Sequence, residues 1–236
     1  VPIINAYFED VADDTDPKEL HENLGTMLEG SKNRGKAFFI SHEKAENLIA
    51  EDPRNAEVVI PILSGSDITD SPTQAPQRCA IFFSDWDESK SKEYEQPFEL
   101  LQRELGSERF NLADNRLSQN WWLFERARIE LYRKITGAGR CFAACATTKY
   151  LSFVECRTDH LFTQGAKIFT TDRWDLYAII QSTLHEVWAR KYSGALKQDL
   201  RYSPSKCFDT FPFPQGLWQT ANPHLAATGE HYHEHR

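Results

Sequence analysis

The sequence predicts an α+β fold in which a mixed β-sheet of short strands is accompanied by several helices. Apolar runs of β type, such as residues 37–40, 58–61 and 80–83, are interspersed with segments of helical spacing, without the regular alternation of a doubly wound sheet. The 236 residues are 40% hydrophobic and 12% aromatic, which is enough for a buried core and excludes a mainly disordered chain.

The elements of the first half follow from local signals. Ser41 is placed to cap a helix that runs to Glu51 and stops before Pro53. The apolar run at 58–61 ends in a turn at 64–67. Residues 94–105 and 122–135 have helical spacing, and the second of these helices is ended by the glycines at 137 and 139.

The second half is predicted to contain closely spaced strands and then one long helix. The β-type runs are 141–148, 150–156, 160–162 and 167–170. Asp172 can cap a helix near 172–192. Its predicted buried stripe consists of Tyr177, Ile180, Leu184, Val187 and Trp188. Residues 201–214 are irregular and punctuated by proline, and the tail beyond them is polar.

The net charge of −8 hides an asymmetry between the two halves of the chain. Residues 1–118 carry 12 basic and 24 acidic side chains, a net of −12, whereas residues 119–236 carry 15 and 11, a net of +4. The acidic total argues against unspecific nucleic-acid binding by the whole chain. A surface for anions is therefore expected in the second half.

Further counts predict the cellular context. The five cysteines are never spaced as Cys-x-x-Cys and fit reduced intracellular thiols. No stretch approaches about 18 uninterrupted apolar residues, so no spanning helix and no membrane partner are expected. Met27 is the only methionine, and the first residues do not resemble a signal peptide. We expect a piece of a longer intracellular protein.

The chain offers no catalytic motif, and we predict no catalytic and no metal-binding residue. Residues 137–140 lack the Lys-Ser/Thr of a phosphate loop and fit a helix C-cap. Residues 222–224, Asn-Pro-His, lack the second proline and the aromatic of an adenine-gripping loop and fit a turn. Residues 85–90 fit a charged loop better than a nuclease site. The alternating histidines at 231, 233 and 235 fit a solvated segment better than a metal site.

Several motifs together resemble one family. A predicted helix ends with Trp-Ala-Arg at 188–190, Arg-Tyr-Ser follows at 201–203, and Phe-Pro-Phe-Pro at 211–214 closes the segment. Upstream, residues 59–68 contain Pro, Leu, Gly and Asp in family-like order, and residues 147–150 read Thr-Thr-Lys-Tyr. Over about residues 5–236 the chain resembles the C-terminal target recognition region of large bacterial adenine-N6 DNA methyltransferases, the fused type II restriction–modification and phage-defence methylases. Lys206 stands where an acidic residue is more usual.

The resemblance implies that this chain is the specificity part of a larger enzyme. A catalytic domain, absent here, would precede it and carry the S-adenosylmethionine site, so that no cofactor is expected in this fragment. The partners implied are double-stranded DNA and the upstream methyltransferase domain of the same polypeptide. The regions would be an acidic connecting arm (1–30), a target recognition domain (31–171), a long helix with the closing Phe-Pro-Phe-Pro segment (172–214) and a polar tail (215–236).

Residue types suggest how DNA would be contacted, because Lys and Arg neutralise phosphates while Thr, Lys, Arg and His also reach base edges. His185, Tyr202 and the Phe-Pro-Phe-Pro segment are interpreted as structural. The predicted base contacts are Thr147, Thr148, Lys149, Arg157 and His160. The predicted phosphate contacts are Lys32, Arg34, Lys36, Arg190, Lys197 and Arg201.

A second interpretation stays open. The acidic first half could make this chain a protein–protein docking domain of a restriction or phage-defence complex, with no direct base readout. The dependence of DNA affinity on salt separates the two interpretations, because only a domain that contacts phosphates releases counterions on binding.

Overall fold

The computed structural model describes residues 17–110 and 114–235. The first residues of the predicted acidic arm, 1–16, lie outside the described residues. The predicted α+β class is confirmed, with short strands and helices mixed along the chain. The strands are β1 (Met27–Glu29), β2 (Phe39–Ile40), β3 (Val59–Leu63), β4 (Arg78–Ile81), β5 (Cys141–Cys145), β6 (Thr147–Thr148), β7 (Phe153–Cys156), β8 (Leu161–Phe162), β9 (Ala166–Phe169), β10 (Gly194–Leu196) and β11 (Asp199–Arg201).

The helices begin at polar capping residues in most cases. Ser41 caps the first, as its sequence position predicts, and accepts a hydrogen bond from the backbone of Lys44. The α-helices are α1 (His42–Glu51), α2 (Gly65–Asp70), α3 (Glu88–Lys92), α4 (Glu95–Phe110), α5 (Asn115–Gln119), α6 (Ile129–Ile135), α7 (Trp174–Ile180), α8 (Thr183–Tyr192) and α9 (Pro223–Glu234). A π-helical turn covers Pro204–Phe208.

The strands form three small sheets. One has the order β1-β9-β5-β7 and is antiparallel throughout, and another has the order β2-β4-β3-β8, with β3 and β8 parallel. The third sheet, β10-β11-β6, is antiparallel and short. β5 and β6 are separated by a single residue, so the chain passes directly from the first sheet into the third.

Aromatic side chains dominate two buried clusters. Phe38, Phe98 and Trp122 pack with the strands of the β2-β4-β3-β8 sheet. Phe142, Tyr177 and the side chains of the closing segment form the second cluster. Each fully buried Phe contributes about 1.5–3 kcal/mol by leaving water. The two rings of Phe-Pro-Phe-Pro, Phe211 and Phe213, lie in or against the second cluster, which fits their predicted structural role.

The prediction of a single long helix near 172–192 is wrong: the structure has two helices, α7 and α8, that break at Gln181 and Ser182. The polar side chains explain the break. Ser182 caps α8 by accepting from the backbone of His185, and Gln181 accepts a hydrogen bond from the backbone of Phe153 at 2.8 Å.

The break also changes which side chains face the core. Of the predicted stripe, α7 buries Tyr177 and Ile180, and α8 buries Trp188. Leu184 and Val187 are instead 63% and 51% exposed. The predicted stripe assumes one continuous helix, so it assigns the wrong buried side chains once the segment is divided into two helices with different axes.

Both ends of the described chain are integrated into the fold. Met27–Glu29, which falls in the predicted arm, pairs with β9 at the edge of the first sheet. Within the predicted polar tail, α9 packs on α7 so closely that a Cβ on Gly229 would lie 2.3 Å from the carbonyl oxygen of Trp174. Asn222 caps α9, which accounts for the Asn-Pro-His motif. The proposed domain boundaries stay predictions.

Candidate nucleic-acid interface

The third sheet assembles predicted contact residues from two distant parts of the chain. Thr147 pairs with Arg201, and Thr148 pairs with Leu200, between β6 and β11. The hairpin that joins β10 to β11 turns at 197–198 and so adds Lys197. A predicted base-contact strand and two predicted phosphate contacts therefore lie side by side, although about fifty residues separate them in sequence.

Side-chain alternation gives this sheet a core face and an outer face. Leu200 is buried in the second aromatic cluster, so its partner Thr148 shares the core face. Asp199, Arg201 and Thr147 belong to the opposite, outer face. Arg201 is exposed and Thr147 is half-buried there. Of the two threonines, Thr147 is thus the one that the register directs outward.

A tight turn follows β6. The hydroxyl of Thr148 donates to the carbonyl oxygen of Tyr150 at 2.8 Å and accepts from the backbone N–H of the same residue. Thr148 thereby fixes the turn, and its hydroxyl is engaged locally. The ammonium of Lys149 lies 5.1 Å from the centroid of the Tyr150 ring, and Tyr150 is 68% exposed.

Arg190, in the last turn of α8, ties the helix to this turn. Its guanidinium donates to the carbonyl oxygen of Lys149 at 2.8 Å and to Glu186 at 2.7 Å. Arg190 is exposed, but its position is set by these two bonds. The structure thus gives it a positioning contact to the predicted base-contact strand.

Three cations of this surface face solvent. Lys149, Lys197 and Arg201 are exposed, and none lies within 4.0 Å of a carboxylate among the described residues. Lys197 adopts a left-handed backbone conformation, with φ of 57°, that side-chain-bearing residues rarely occupy. We call the residues 147–150 and 194–201 the recognition sheet end.

The other two predicted base contacts are not brought to the recognition sheet end. β7 runs antiparallel to β5, so that Cys156 lies opposite the start of β5 and Thr147 follows its far end. Arg157 and Thr147 therefore lie beyond opposite ends of β5, whose five residues span roughly 17 Å. Arg157 is also paired with Asp159 at 2.5 Å, and burial lowers the pKa of His160.

The three predicted phosphate contacts of the first half lie on another segment, between β1 and β2. Lys32 is paired with Glu125 at 2.6 Å, and this ion pair lowers the pKa of the Glu125 carboxyl. Arg34 and Lys36 are exposed. The buried guanidinium of Arg109 donates to the carbonyl oxygen of Arg34 at 2.7 Å and so holds this loop in place. These residues therefore form a second basic segment.

An open groove of about 560 Å³ adjoins the recognition sheet end, between β1 and the π-helical turn. Arg201 and Lys206 supply positive charge to its wall. Asp209 supplies an acid whose pKa is raised to about 6, mainly by burial and secondarily by the charge of Glu19. No contact role is predicted from sequence for Lys206 or Asp209, because their place beside Arg201 depends on the π-helical turn.

The upstream Gly-Ser-Asp motif at 65–67 packs against the end of β5, just before β6 begins. Ser64 and Asp67 form a reciprocal capping box at the start of α2. A Cβ on Gly65 would lie 2.8 Å from the Cys145 sulfur and 2.9 Å from the carbonyl oxygen of Gly165. Only glycine admits this close approach, which places α2 against the end of β5.

His185 lies beneath the recognition sheet end as a buried histidine, as its structural interpretation expects. Its Nε2 lies 2.9 Å from the hydroxyl oxygen of Tyr202, and both side chains are buried. Burial lowers the pKa of His185 to about 3. A neutral imidazole therefore supports the base of β11 at neutral pH.

The part of the chain that the structure describes was searched for a membrane-spanning helix and for a cluster of metal-binding side chains. No helix there has the length and apolarity needed to cross a membrane. No group of three or more His, Cys, Asp or Glu side chains there is arranged to hold a metal ion.

Comparison with solved structures shows the fold. The chain matches the structure of the type IIL restriction–modification enzyme MmeI in complex with DNA with a TM-score of 0.68 and 15% sequence identity. The match covers 95% of this chain and 29% of that one. The chain therefore spans less than a third of the length of the enzyme that it resembles.

Sequence comparisons add a short match and a long one. The chain is 42% identical to DNA methyltransferase A of Bacillus subtilis (strain 168) over 40 residues. These 40 residues are 17% of this chain and 5% of that protein. The family model described as "MmeI, target recognition domain" matches residues 11–215, which is most of the chain. The chain belongs to the family of MmeI target recognition domains.

Proposed function

We propose that this chain reads DNA sequence for a restriction–modification enzyme that methylates adenine at N6, and that the recognition sheet end contacts the DNA. The proposal is carried by one observation: the strand of Thr147 and the hairpin of Lys197 and Arg201 converge on one small sheet. Membership of the target recognition family supports the role. The match to MmeI, whose structure was solved with DNA, supports the partner.

The geometry suggests a division of work. A two-stranded β-ribbon fits the major groove of B-DNA, and the β10–β11 hairpin has that form, with β10 exposed along its length. Lys197 at the turn and Arg201 on the outer face would neutralise phosphates or bond to guanine. Thr147, on the same face, would reach a base edge. The basic segment Lys32–Lys36 would contact phosphates elsewhere along the duplex.

The remaining parts of the enzyme are proposals of the same kind. The chemistry would belong to a methyltransferase domain upstream in the same polypeptide, which would bind S-adenosylmethionine. Residues 222–224 cannot supply its adenine-gripping loop, because they form the start of α9. We place the whole enzyme in the bacterial or archaeal cytoplasm, where its DNA is found.

The dependence of DNA affinity on salt tests this proposal. The full chain is used to select duplexes from a random-core pool, and the affinity for a selected duplex is measured between 50 and 200 mM salt. For a protein that contacts several phosphates, raising the salt over this range lowers the affinity about 10³-fold or more. Replacing Lys149, Lys197 and Arg201 together by Gln is expected to flatten the plot of log affinity against log salt, by about 0.9 for each phosphate that is no longer neutralised.

A matched variant controls for charge alone. Lys44, Lys90 and Arg133 are also exposed cations, but they lie on α1, α3 and α6. Their replacement by Gln changes the net charge equally and is expected to leave the slope nearly unchanged. A wild-type chain with no salt-dependent duplex binding would favour the docking interpretation. Equal slope changes in both variants would remove the recognition sheet end from the interface.

A further inference from the structure

The hairpin of the recognition sheet end carries an exposed apolar side chain on its outer face. Leu196 is the last residue of β10, immediately before the turn, and it is 54% exposed. The register pairs it with Asp199, two residues from Arg201, so it shares the outer face of the sheet. It is therefore directed to the same side as Arg201 and Thr147.

Charged side chains of both signs surround Leu196, and Asp199 lies directly opposite it on the same face. Lys197 follows it directly, and Lys149 leaves the same end of the sheet on β6, about two strand spacings or roughly 10 Å away. An exposed apolar side chain with Lys197 and Lys149 nearby can meet an apolar base stack while the cations meet the phosphates that border it.

The returning strand of the hairpin is anchored in the core. Leu200 and Tyr202 on the returning strand are buried, and the backbone of Tyr202 donates to the carbonyl oxygen of Ala146 at 2.8 Å. Lys197 keeps a left-handed conformation that is strained in a residue other than glycine. A glycine at the turn would relieve this strain but would remove the cation beside Leu196.

We propose that Leu196 is a wedge that inserts between base pairs of the bound duplex and unstacks them. This inference rests on the proposed function. An enzyme that methylates a base in a duplex must first take that base out of the stack, which costs the stacking and pairing energy of that base. A side chain that fills the opened step offsets part of this cost, as apolar wedges do in other DNA-bending proteins.

The test uses the full chain and a duplex selected from the random-core pool, with 2-aminopurine placed at each position in turn. Its fluorescence rises when the base loses its stacking neighbours. Wild-type chain is expected to raise the fluorescence severalfold at one step. Leu196→Ala is expected to abolish that rise while keeping the salt slope, since no cation is removed. Leu184→Ala is the matched control, because Leu184 is 63% exposed but lies on α8.

The outcomes separate this inference from the proposed function. A wild-type chain that binds without any rise, or a rise that persists in Leu196→Ala, would overturn the wedge and leave the recognition role intact. A wild-type chain with no duplex binding would overturn both. Loss of the rise in Leu184→Ala as well would show a general effect on binding and would also overturn the wedge.

Discussion

The buried pair of His185 and Tyr202 makes the stability of this domain depend on pH in a calculable way. The pKa of His185 is lowered from 6.5 to about 3 because the ring is fully buried. In the unfolded chain the imidazole takes up a proton near pH 6.5, whereas in the folded chain it stays neutral. The histidine contribution is therefore fully present above about pH 6.5 and declines as the pH falls toward 3.

The magnitude follows from the shift. Well below pH 6.5, each further pH unit lowers the free energy of unfolding by about 1.4 kcal/mol through this residue. Because the unfolded imidazole is already half protonated at pH 6.5, about 2 kcal/mol is lost between pH 6.5 and 4.5. Other groups titrate in the same interval. Asp209, with a pKa raised to about 6, acts in the opposite direction, because its folded carboxyl holds a proton that the unfolded one releases.

A variant isolates the histidine from these groups. His185→Gln keeps a hydrogen-bonding side chain for Tyr202 but does not titrate. Urea unfolding of both proteins at pH 6.5 and 4.5 gives four free energies, and the wild type is expected to lose about 2 kcal/mol more than the variant. The same loss in both proteins would refute the reasoning, because it would mean that His185 is protonated in the folded state.

Two further predictions concern helix packing and capping. Gly229→Ala is expected to lower the free energy of unfolding by about 1–3 kcal/mol, because its Cβ would lie 2.3 Å from the carbonyl oxygen of Trp174, whereas Gly139→Ala meets no atom within 4 Å. Equal melting temperatures for the two variants would contradict the close contact. Ser182→Ala removes the cap of α8 and is expected to cost about 0.5–2 kcal/mol in urea unfolding. A change below that range would show that tertiary packing alone ends α7 and begins α8.

The sequence is informative wherever a local pattern decides the structure. The Ser41 cap and the short β-type runs follow from residues that are close in the chain, so they are predictable. The structural interpretation of His185 is also predictable, because a histidine beside the stripe of a helix is most often buried. The closing motifs identify the family from their residues and spacing, and the family model confirms that identification.

The break between α7 and α8 shows where local patterns fail. Gln181 and Ser182 are compatible with a helix interior in isolation. The hydrogen bond of Gln181 to the backbone of Phe153, 28 residues away, makes the break favourable. The spacing of apolar residues along the chain cannot predict a hydrogen bond between residues so far apart in sequence.

The sequence by itself determined the α+β class, the family and the types of side chain available to contact DNA. Only the tertiary structure decided which of them lie together. Strand pairing brings Thr147 beside Arg201 and separates both from Arg157, although Arg157 is far closer to Thr147 in the chain. Register sets this outcome, because antiparallel pairing reverses the chain and alternation assigns each side chain to one face of the sheet.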